Sequence, residues 1–197
     1  MIKMPNTEKE LIILGGANGS GKTTFAKLYV DELNYNFLNA DEIAKKLEES
    51  GNLYPLIKGG RIFFTRLYEY LDKGESLIVE TTLSGSYVKR VIEKARKKLY
   101  KVKIIYIFLD NAELCVERVK IRVLKGGHDV ETEDIKRRFY RSKNNFWEKL
   151  IKISDEWILL YNGSEGFQQV AIGNSEEYSI ENLILFKKFK LIKDERS

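Results

Sequence analysis

Eight residues, Gly16–Thr23, constrain the fold of this chain more than any other stretch of its sequence. Two glycines are separated by four variable residues, and a lysine and a threonine follow directly, which is the P-loop pattern. An apolar segment that predicts a buried strand, residues 11–15, ends where the pattern begins, and a helix is predicted over 21–33. Backbone amides and the helix N-terminus can then converge on an anion. The sequence therefore predicts a site for a nucleoside triphosphate.

Two side chains of this loop have expected roles of their own. Lys22 is expected to bridge the outer phosphates, and the hydroxyl of Thr23 is expected to ligate magnesium. The predicted cofactors are therefore ATP and Mg²⁺. The residues predicted to bind the nucleotide through this loop are Gly16, Ala17, Asn18, Gly19, Ser20, Gly21, Lys22, Thr23 and Thr24.

Further apolar segments alternate with helical stretches along the chain. Strands are predicted near 11–15, 36–40, 77–80, 102–109 and 157–161. Helices are predicted over about 21–33, 42–50, 56–73, 86–99, 112–124 and 133–152. This alternation predicts an α/β fold of the P-loop NTPase type, a mostly parallel sheet covered by helices. Past residue 162 the signal is weaker, with an edge strand expected over 167–172 and a terminal helix over 179–192.

The composition excludes several classes of protein. A single cysteine cannot form an internal disulfide, which favours a reducing cytosol. The longest apolar run, residues 104–109, is too short to cross a bilayer, and residues 1–10 lack the apolar core of a signal peptide. We therefore expect a cytoplasmic protein without membrane contact. The net charge of +5 suits a phosphate-bearing ligand or nucleic acid, but the basic runs lack the aromatic patterning of an RNA-binding module, so nucleic acid is not an expected partner.

Carboxylates follow three of the predicted strands. Asp41 ends the second, where it could accept a proton from an attacking hydroxyl, and it could equally be the N-cap of the helix over 42–50. Glu80 follows the third strand, which should lie beside the P-loop strand, so it is expected to face the phosphates and support magnesium. Asp110 follows the fourth strand, and its three-residue spacing to Glu113 favours a capping pair over a site role.

Four arginines flank a glycine-hinged segment, residues 125–131. Arg118 and Arg122 are four residues apart and Arg138 and Arg141 three apart, so each pair shares a helix face. We expect residues 124–142 to form a flexible helical lid whose arginines close over the transferring phosphoryl group, with at least one of the second pair reaching phosphate. A solvated basic face is the alternative. The single histidine, in the hinge, is expected to be a turn residue.

A P-loop does not by itself name a reaction. The guanine-binding motif Asn-Lys-x-Asp is absent from the sequence, which weighs against a GTPase. The segment Leu83-Ser84-Gly85-Ser86 resembles the start of the transporter ATPase signature, but no glutamine follows it. We interpret it as a strand-to-helix turn, and a kinase remains the leading class.

From about Leu11 to Gly173 the chain resembles the small zeta-toxin-like P-loop kinases of bacteria. The resemblance rests on the P-loop, on Leu-Asn-Ala-Asp-Glu-Ile at 38–43, on the segment 74–85 and on the lid motifs at 126–130, 137–142 and 145–147. Zeta toxins transfer the γ-phosphate of ATP to the sugar 3′-hydroxyl of UDP-N-acetylglucosamine. The resemblance therefore implies an ATP-dependent kinase with a UDP-sugar as acceptor and an antitoxin protein as a partner.

The same resemblance assigns residue roles. Lys22 would hold the phosphates, Asp41 would be the base, and Arg138 and Arg141 would stabilise the transferring group. Glu80, with Thr81 or Thr82, would contact the sugar nucleotide. We further expect Asn39 to bind the substrate, and Arg118 and Arg122 to bind the nucleotide.

Together these observations predict a phosphotransferase with an alcohol group on a small molecule as acceptor. We expect residues 1–173 to form the kinase domain and residues 174–197 to form a helical C-terminal extension. Two alternatives remain open. One is a nucleotide-gated regulatory or interaction ATPase whose extension contacts a partner, and the other is a polynucleotide kinase.

Overall fold

The computed structural model describes residues 8–193 of the chain. The predictions that concern residues 1–7 of the kinase domain and 194–197 of the extension lie outside these residues.

Seven strands form one mixed sheet in the described residues. They are β1 (Glu10–Gly15), β2 (Asn36–Asn39), β3 (Leu77–Thr81), β4 (Lys101–Phe108), β5 (Glu156–Gly163), β6 (Gly166–Gly173) and β7 (Tyr178–Ile180). The order across the sheet is β2-β3-β1-β4-β5-β6-β7, with parallel pairing from β2 to β5 and antiparallel pairing beyond. The predicted α/β class, the place of β3 beside β1 and a strand over 167–172 are confirmed. The prediction that this last strand lies at the edge is wrong, because β7 pairs with its outer side.

Seven α-helices accompany these strands in the same part of the chain. They are α1 (Lys22–Leu33), α2 (Ala40–Glu49), α3 (Pro55–Lys73), α4 (Tyr87–Lys97), α5 (Ala112–Leu124), α6 (Thr132–Asn145) and α7 (Leu183–Leu191). A π-helical turn, Phe146–Leu150, continues α6. None of the helices between residues 8 and 193 has the length and apolar character that a membrane crossing requires.

Two predicted helices differ in the structure. The helix expected over 133–152 is α-helical only as far as Asn145 and then widens into the π-helical turn. The terminal helix expected over 179–192 divides into the short strand β7 and the shorter helix α7. The division follows from Asn182, whose side chain accepts a hydrogen bond from the backbone N–H of Leu185 at 3.0 Å and so begins the helix there.

Burial on both faces explains the continuous apolar run of β1. Leu11 and Ile13 belong to the larger core cluster on one face of the sheet, and Ile12 and Leu14 belong to the smaller cluster on the other. Because successive side chains of a strand point to opposite faces, a strand covered by helices on both sides has no polar alternation. The prediction from the sequence that β1 is buried on both faces is therefore confirmed.

The carboxyl ends of three neighbouring strands meet at one edge of the sheet. In the register of the sheet, Gly15 pairs with Thr81, and Asn39 pairs with Glu80. The P-loop leaves β1 at this edge. The fold thus brings segments separated by dozens of residues to one place, where the site described next is built.

Candidate active site

The loop between β1 and α1 has the backbone geometry of an anion cradle. Gly16, Gly19 and Gly21 all have positive φ angles, of 145°, 81° and 100°. Gly21 is the N-cap of α1 and makes no side-chain capping hydrogen bond, and the first turn of this helix has no acidic residue. The first amides of the helix therefore remain available to an anionic group.

Gly19 packs closely against the backbone of helix α5. A Cβ atom at this position would lie 2.5 Å from the carbonyl oxygen of Cys115 in α5. The P-loop pattern leaves this position variable, so the requirement for glycine comes from its positive φ and from the close approach of α5.

Lys22 folds back over the loop. Its ammonium group is buried and donates a hydrogen bond to the carbonyl oxygen of Ala17 at 2.9 Å. Burial lowers its pKa, while the carboxylates of Glu80 and Asp41 act in the opposite direction. A buried ammonium with a single neutral hydrogen-bond acceptor can exchange that acceptor for a phosphate oxygen.

Glu80 is held between β2 and the first turn of α1. The hydroxyl of Thr23 donates to its Oε1 at 3.0 Å, and the amide of Asn39 donates to its Oε2 at 2.9 Å. Burial raises the pKa of Glu80, and the charge of Lys22 and the hydrogen bond from Thr23 oppose that shift. The hydroxyl and carboxylate oxygens are the hard donors that magnesium prefers.

No cluster of three or more His, Cys, Asp or Glu side chains that could hold a metal occurs in residues 8–193. A magnesium ion at Thr23 and Glu80 fits this finding, since magnesium in such sites takes most of its ligands from water and substrate phosphates.

Asp41 lies at the mouth of the site with its carboxylate unpaired. The prediction that it caps the following helix is wrong, because α2 begins one residue earlier, at Ala40, and its N-cap is Asn39. The Asn39 side chain accepts hydrogen bonds from the backbone N–H groups of Asp41 and Glu42 at 2.8 and 3.3 Å. Within the described residues the Asp41 carboxylate makes no hydrogen bond or ion pair, so it is free to accept a proton.

A cavity of about 470 Å³ brings most of the predicted residues together. The predicted residues that line it are Asn18, Gly19, Gly21, Lys22, Thr23, Thr24, Asn39, Asp41, Glu80, Arg118 and Arg122. Those that do not line it are Gly16, Ala17, Ser20, Thr81, Thr82, Arg138 and Arg141.

The two threonines after Glu80 serve the turn that follows β3. The hydroxyl of Thr81 shares a hydrogen bond with the phenol of Tyr87 at 2.6 Å, and the hydroxyl of Thr82 shares one with Ser84 at 2.8 Å. The implied contacts of these threonines with a substrate therefore compete with hydrogen bonds already made inside the protein.

The arginines of α5 lie in the cavity wall. Arg118 donates to the backbone oxygen of Asn162 at 3.1 Å, and Arg122 donates to that of His128 at 2.7 Å. The Nε of Arg122 is buried and has no hydrogen-bond partner among residues 8–193. Such a group is costly unless a ligand or water satisfies it.

The two predicted arginines of α6, Arg138 and Arg141, face different places. Arg138 donates to the Asn18 side-chain oxygen in the P-loop at 3.3 Å and pairs with Asp134 at 2.9 Å. Arg141 lines a second cavity together with Asn145. The structure therefore brings Arg138 to the loop and does not bring Arg141 there.

Several residues of the site were not predicted. Glu42, Lys45 and His128 also line the cavity, and the amide of Asn162 donates to the backbone oxygen of Ser20 at 2.9 Å. Lys45 stands four residues after Asp41, so helical spacing could have identified it. No local signal connects Asn162 with a loop 142 residues away along the chain.

Asp110 does not line this cavity, because its carboxylate is bound to other side chains. Its carboxylate accepts a hydrogen bond from the Tyr161 hydroxyl at 2.6 Å and pairs with Lys188 of α7. The predicted capping pair with Glu113 is wrong, because the N-cap of α5 is Asn111, whose side chain accepts from the N–H of Leu114.

The sheet order, the glycine-rich loop between β1 and α1 and the flanking helices define a P-loop NTPase of the kinase-like kind. The chain belongs to the AAA_33 family, whose model, described as an AAA domain, matches residues 11–142. The zeta-toxin resemblance is thereby supported at the level of a P-loop kinase-like fold.

Individual proteins resemble this chain in sequence or in fold. An uncharacterized protein of Haemophilus influenzae is 26% identical over 132 residues, which is 67% of this chain and 94% of that protein. The crystal structure of the AvrRxo1-ORF1:-ORF2 complex with ATP has a TM-score of 0.73 at 19% identity and is matched by 95% of this chain. The match covers 66% of that chain, so this protein spans just under two thirds of its length.

A chain of the PezAT chromosomal toxin-antitoxin system of Streptococcus pneumoniae has a TM-score of 0.66 at 17% identity. The match covers 99% of this chain and 84% of that one. At such identities these likenesses establish the common fold.

Proposed function

We propose that this protein is an ATP- and magnesium-dependent kinase that transfers the γ-phosphoryl group to a hydroxyl of a small molecule. One observation carries the proposal: the unpaired carboxylate of Asp41 lines the same cavity as Lys22 and Thr23. A base and a phosphate cradle that open into one space can act on an acceptor and a donor at once.

The donor side of the cavity suits ATP. The P-loop amides and Lys22 would hold the phosphates, and Arg118, Arg122 and Arg138 would neutralise charge on the transferring group. The buried, unpartnered Nε of Arg122 supports an anionic ligand on that side. The fold is shared with a complex whose crystal structure contains ATP.

Thr23 and Glu80 would hold magnesium, which when bound neutralises charge on the phosphates. The negative charges of Glu80 and Asp41 both act on Lys22 and raise its pKa against the effect of burial. Its ammonium would keep the phosphate tail oriented toward the acceptor.

Asp41 would perform the proton transfer. As the acceptor oxygen forms its bond to the γ-phosphorus, the bond from that phosphorus to the β–γ bridging oxygen breaks and ADP leaves. The hydroxyl proton passes to the carboxylate of Asp41, which has no competing partner in the described residues.

For the acceptor we propose a UDP-sugar such as UDP-N-acetylglucosamine, which the zeta-toxin resemblance implies. Asn39 and Glu80 line the cavity and could contact it, whereas Thr81 and Thr82 would first have to release their present partners. The fold shared with a chain of the PezAT toxin-antitoxin system supports an antitoxin protein as a further partner.

The test is incubation with MgATP and a panel of UDP-sugars and other alcohols, followed by mass spectrometry for the addition of one phosphoryl group. We expect Asp41→Asn to abolish transfer and to leave ATP binding near normal, whereas Lys22→Ala should impair both. Glu48→Gln, an exposed change on the same helix as Asp41, is the matched control for loss of one negative charge. Equal turnover by the Asp41 variant and the control would remove Asp41 as the base.

A second candidate function is a nucleotide-gated interaction ATPase. Helix α7 exposes Leu183, Ile184 and Leu191, with 55%, 80% and 76% of their surfaces accessible, which suits a protein partner. Deleting the extension would also remove the buried Phe186 and Phe189 from the core, so the sharper test replaces Ile184 by serine. ADP release without any phosphorylated acceptor, together with partner capture that this change abolishes, would favour this function over the kinase.

A further inference from the structure

A second cavity, of about 460 Å³, lies between the turn after β3 and the C-terminal end of α6. Four basic side chains line it: Lys89, Arg141, Lys149 and Lys152. No aspartate or glutamate is among its lining residues. Its volume is in the range of small-molecule sites, and its charge favours an anion.

The frame of this cavity is fixed by contacts inside the protein. The amide of Asn145 donates to the backbone oxygen of Leu83 at 2.8 Å, which ties the turn after β3 to the end of α6. Leu150 is 4% exposed and anchors the π-helical turn in the core. The two walls that carry the basic side chains are therefore held at a set separation.

The positive charges of this cavity are poorly neutralised. Arg141 and Lys152 make no hydrogen bond or ion pair with any residue from 8 to 193. Lys149 donates to the side-chain oxygen of Asn145 at 3.2 Å, which is a neutral partner. Lys89 has only a 3.8 Å ion pair with Glu93, in which both side chains are more than half exposed, so it is weak.

The N-terminal end of helix α4 adds to the positive potential of the cavity. Ser86, its N-cap, lines the cavity and makes no side-chain capping hydrogen bond, and the first turn contains no acidic residue. The positive end of the helix dipole at Ser86 therefore meets no opposing acidic side chain in its first turn.

We propose that this cavity binds the phosphate or diphosphate group of a small molecule, at a site separate from the P-loop. Arg141 would bind the oxyanion through its planar guanidinium, and Lys152 would supply a second charge. The role implied for Arg141 at the transferring phosphoryl group is thereby replaced by a role in binding a second anion.

Two sources of such a group fit the geometry. One is a phosphate carried by the acceptor itself, and this source rests on the proposed function. Burial raises the pKa of Tyr87, the first residue of α4; the hydrogen bond with Thr81 lowers it, and the charge of Asp41 raises it, so the Tyr87 phenol lies within electrostatic range of the proposed base. The other source is a separate phosphorylated effector.

The direct test uses pyrophosphate as the probe and the full chain saturated with a non-hydrolysable MgATP analogue. Calorimetric titration of the Arg141→Gln/Lys152→Gln variant should give a pyrophosphate Kd about tenfold higher than that of the unsubstituted protein, because charge-assisted hydrogen bonds are lost. The matched control, Lys58→Gln/Lys73→Gln, removes the same net charge from exposed positions on α3. Its Kd should stay within about twofold of the unsubstituted value.

Equal Kd values for the two double variants, or no pyrophosphate binding by the unsubstituted protein, would overturn the proposal. Failure of the proposed function is a separate result, since it appears as absent binding or turnover of the nucleotide. The sources are distinguished in the transfer assay. If the phosphate belongs to the acceptor, the Arg141→Gln/Lys152→Gln variant should have a raised KM for the acceptor and an unchanged KM for ATP. If the site binds a separate effector, pyrophosphate should alter kcat without competing with the acceptor.

Discussion

Replacing Gly19 by alanine tests whether helix α5 fixes the path of the P-loop. The new Cβ atom would lie 2.5 Å from the carbonyl oxygen of Cys115 and 3.3 Å from its carbonyl carbon. Ordinary contact begins near 3.4 Å, so the loop or the helix must shift by roughly 1 Å to relieve the overlap. The opposing atoms belong to the backbone of a helix and cannot rotate away.

The expected cost has two parts. A non-glycine residue at the φ of +81° costs about 1–2 kcal/mol, and a packing overlap of this kind costs about 1–3 kcal/mol more. We therefore expect Gly19→Ala to lower the free energy of unfolding by about 2–5 kcal/mol if the loop keeps its path. If the loop moves instead, part of that cost appears as misplacement of the phosphates and a loss of about a hundredfold in turnover.

Gly51 offers a matched control. Its φ of +78° is almost the same, and a Cβ atom there meets nothing within 4 Å. Gly51→Ala should therefore cost only the backbone part, about 1–2 kcal/mol, and leave nucleotide binding intact. Urea unfolding of both variants gives the stability difference, and calorimetry with an MgATP analogue gives the binding. Equal losses of stability with unchanged nucleotide affinity in both would refute the steric argument.

Three further predictions concern the ion pair of Asp134, the hydrogen bond of Asn162 and the burial of Cys115. Asp134→Asn should lower kcat about two- to fivefold with little change in the KM for ATP, because the ion pair that positions Arg138 is lost. Asp134→Glu keeps the charge and should restore kcat, and steady-state kinetics measures both variants. Asn162→Ala should weaken binding of an MgATP analogue about fivefold, measured by calorimetry, because the hydrogen bond to the Ser20 carbonyl is lost. Unchanged affinity would show that the P-loop keeps its conformation without this hydrogen bond. Burial raises the pKa of Cys115 from 9.0 to about 12. The folded state therefore favours the protonated thiol, and this contribution to the free energy of unfolding is complete below pH 9 and lost as the pH rises toward 12. Below pH 9, iodoacetamide should label this cysteine only after unfolding.

The limits of the sequence appear most clearly at the start of α2. Spacing alone left Asp41 with two roles, as a base or as a helix cap. In the structure the cap is Asn39, because its side chain reaches the N–H groups of the first turn while its amide binds Glu80. The choice was decided by a contact with a neighbouring strand, which no property of the local sequence contains.

Arg138 and Arg141 of α6 show the same limit over a longer distance along the chain. Their three-residue spacing predicted a shared helix face, but in the structure the two side chains reach different parts of the protein. Asn18 and Asp134 hold Arg138 at the P-loop, whereas Arg141 lines the second cavity, one turn further along. Which of the two reaches the nucleotide depends on how α6 packs.

By itself the sequence determined the α/β class, the glycine-rich loop and the placement of Asp41 and Glu80 near the carboxyl ends of β2 and β3. These features follow from periodicity and from the conformations of consecutive residues, which act over a few positions along the chain. Only the tertiary structure decided that Gly19 must be glycine, that Asn162 holds the loop and that Arg141 faces another cavity. Those contacts join residues that are distant along the chain, and they exist only once the order of the sheet and the packing of its helices are set.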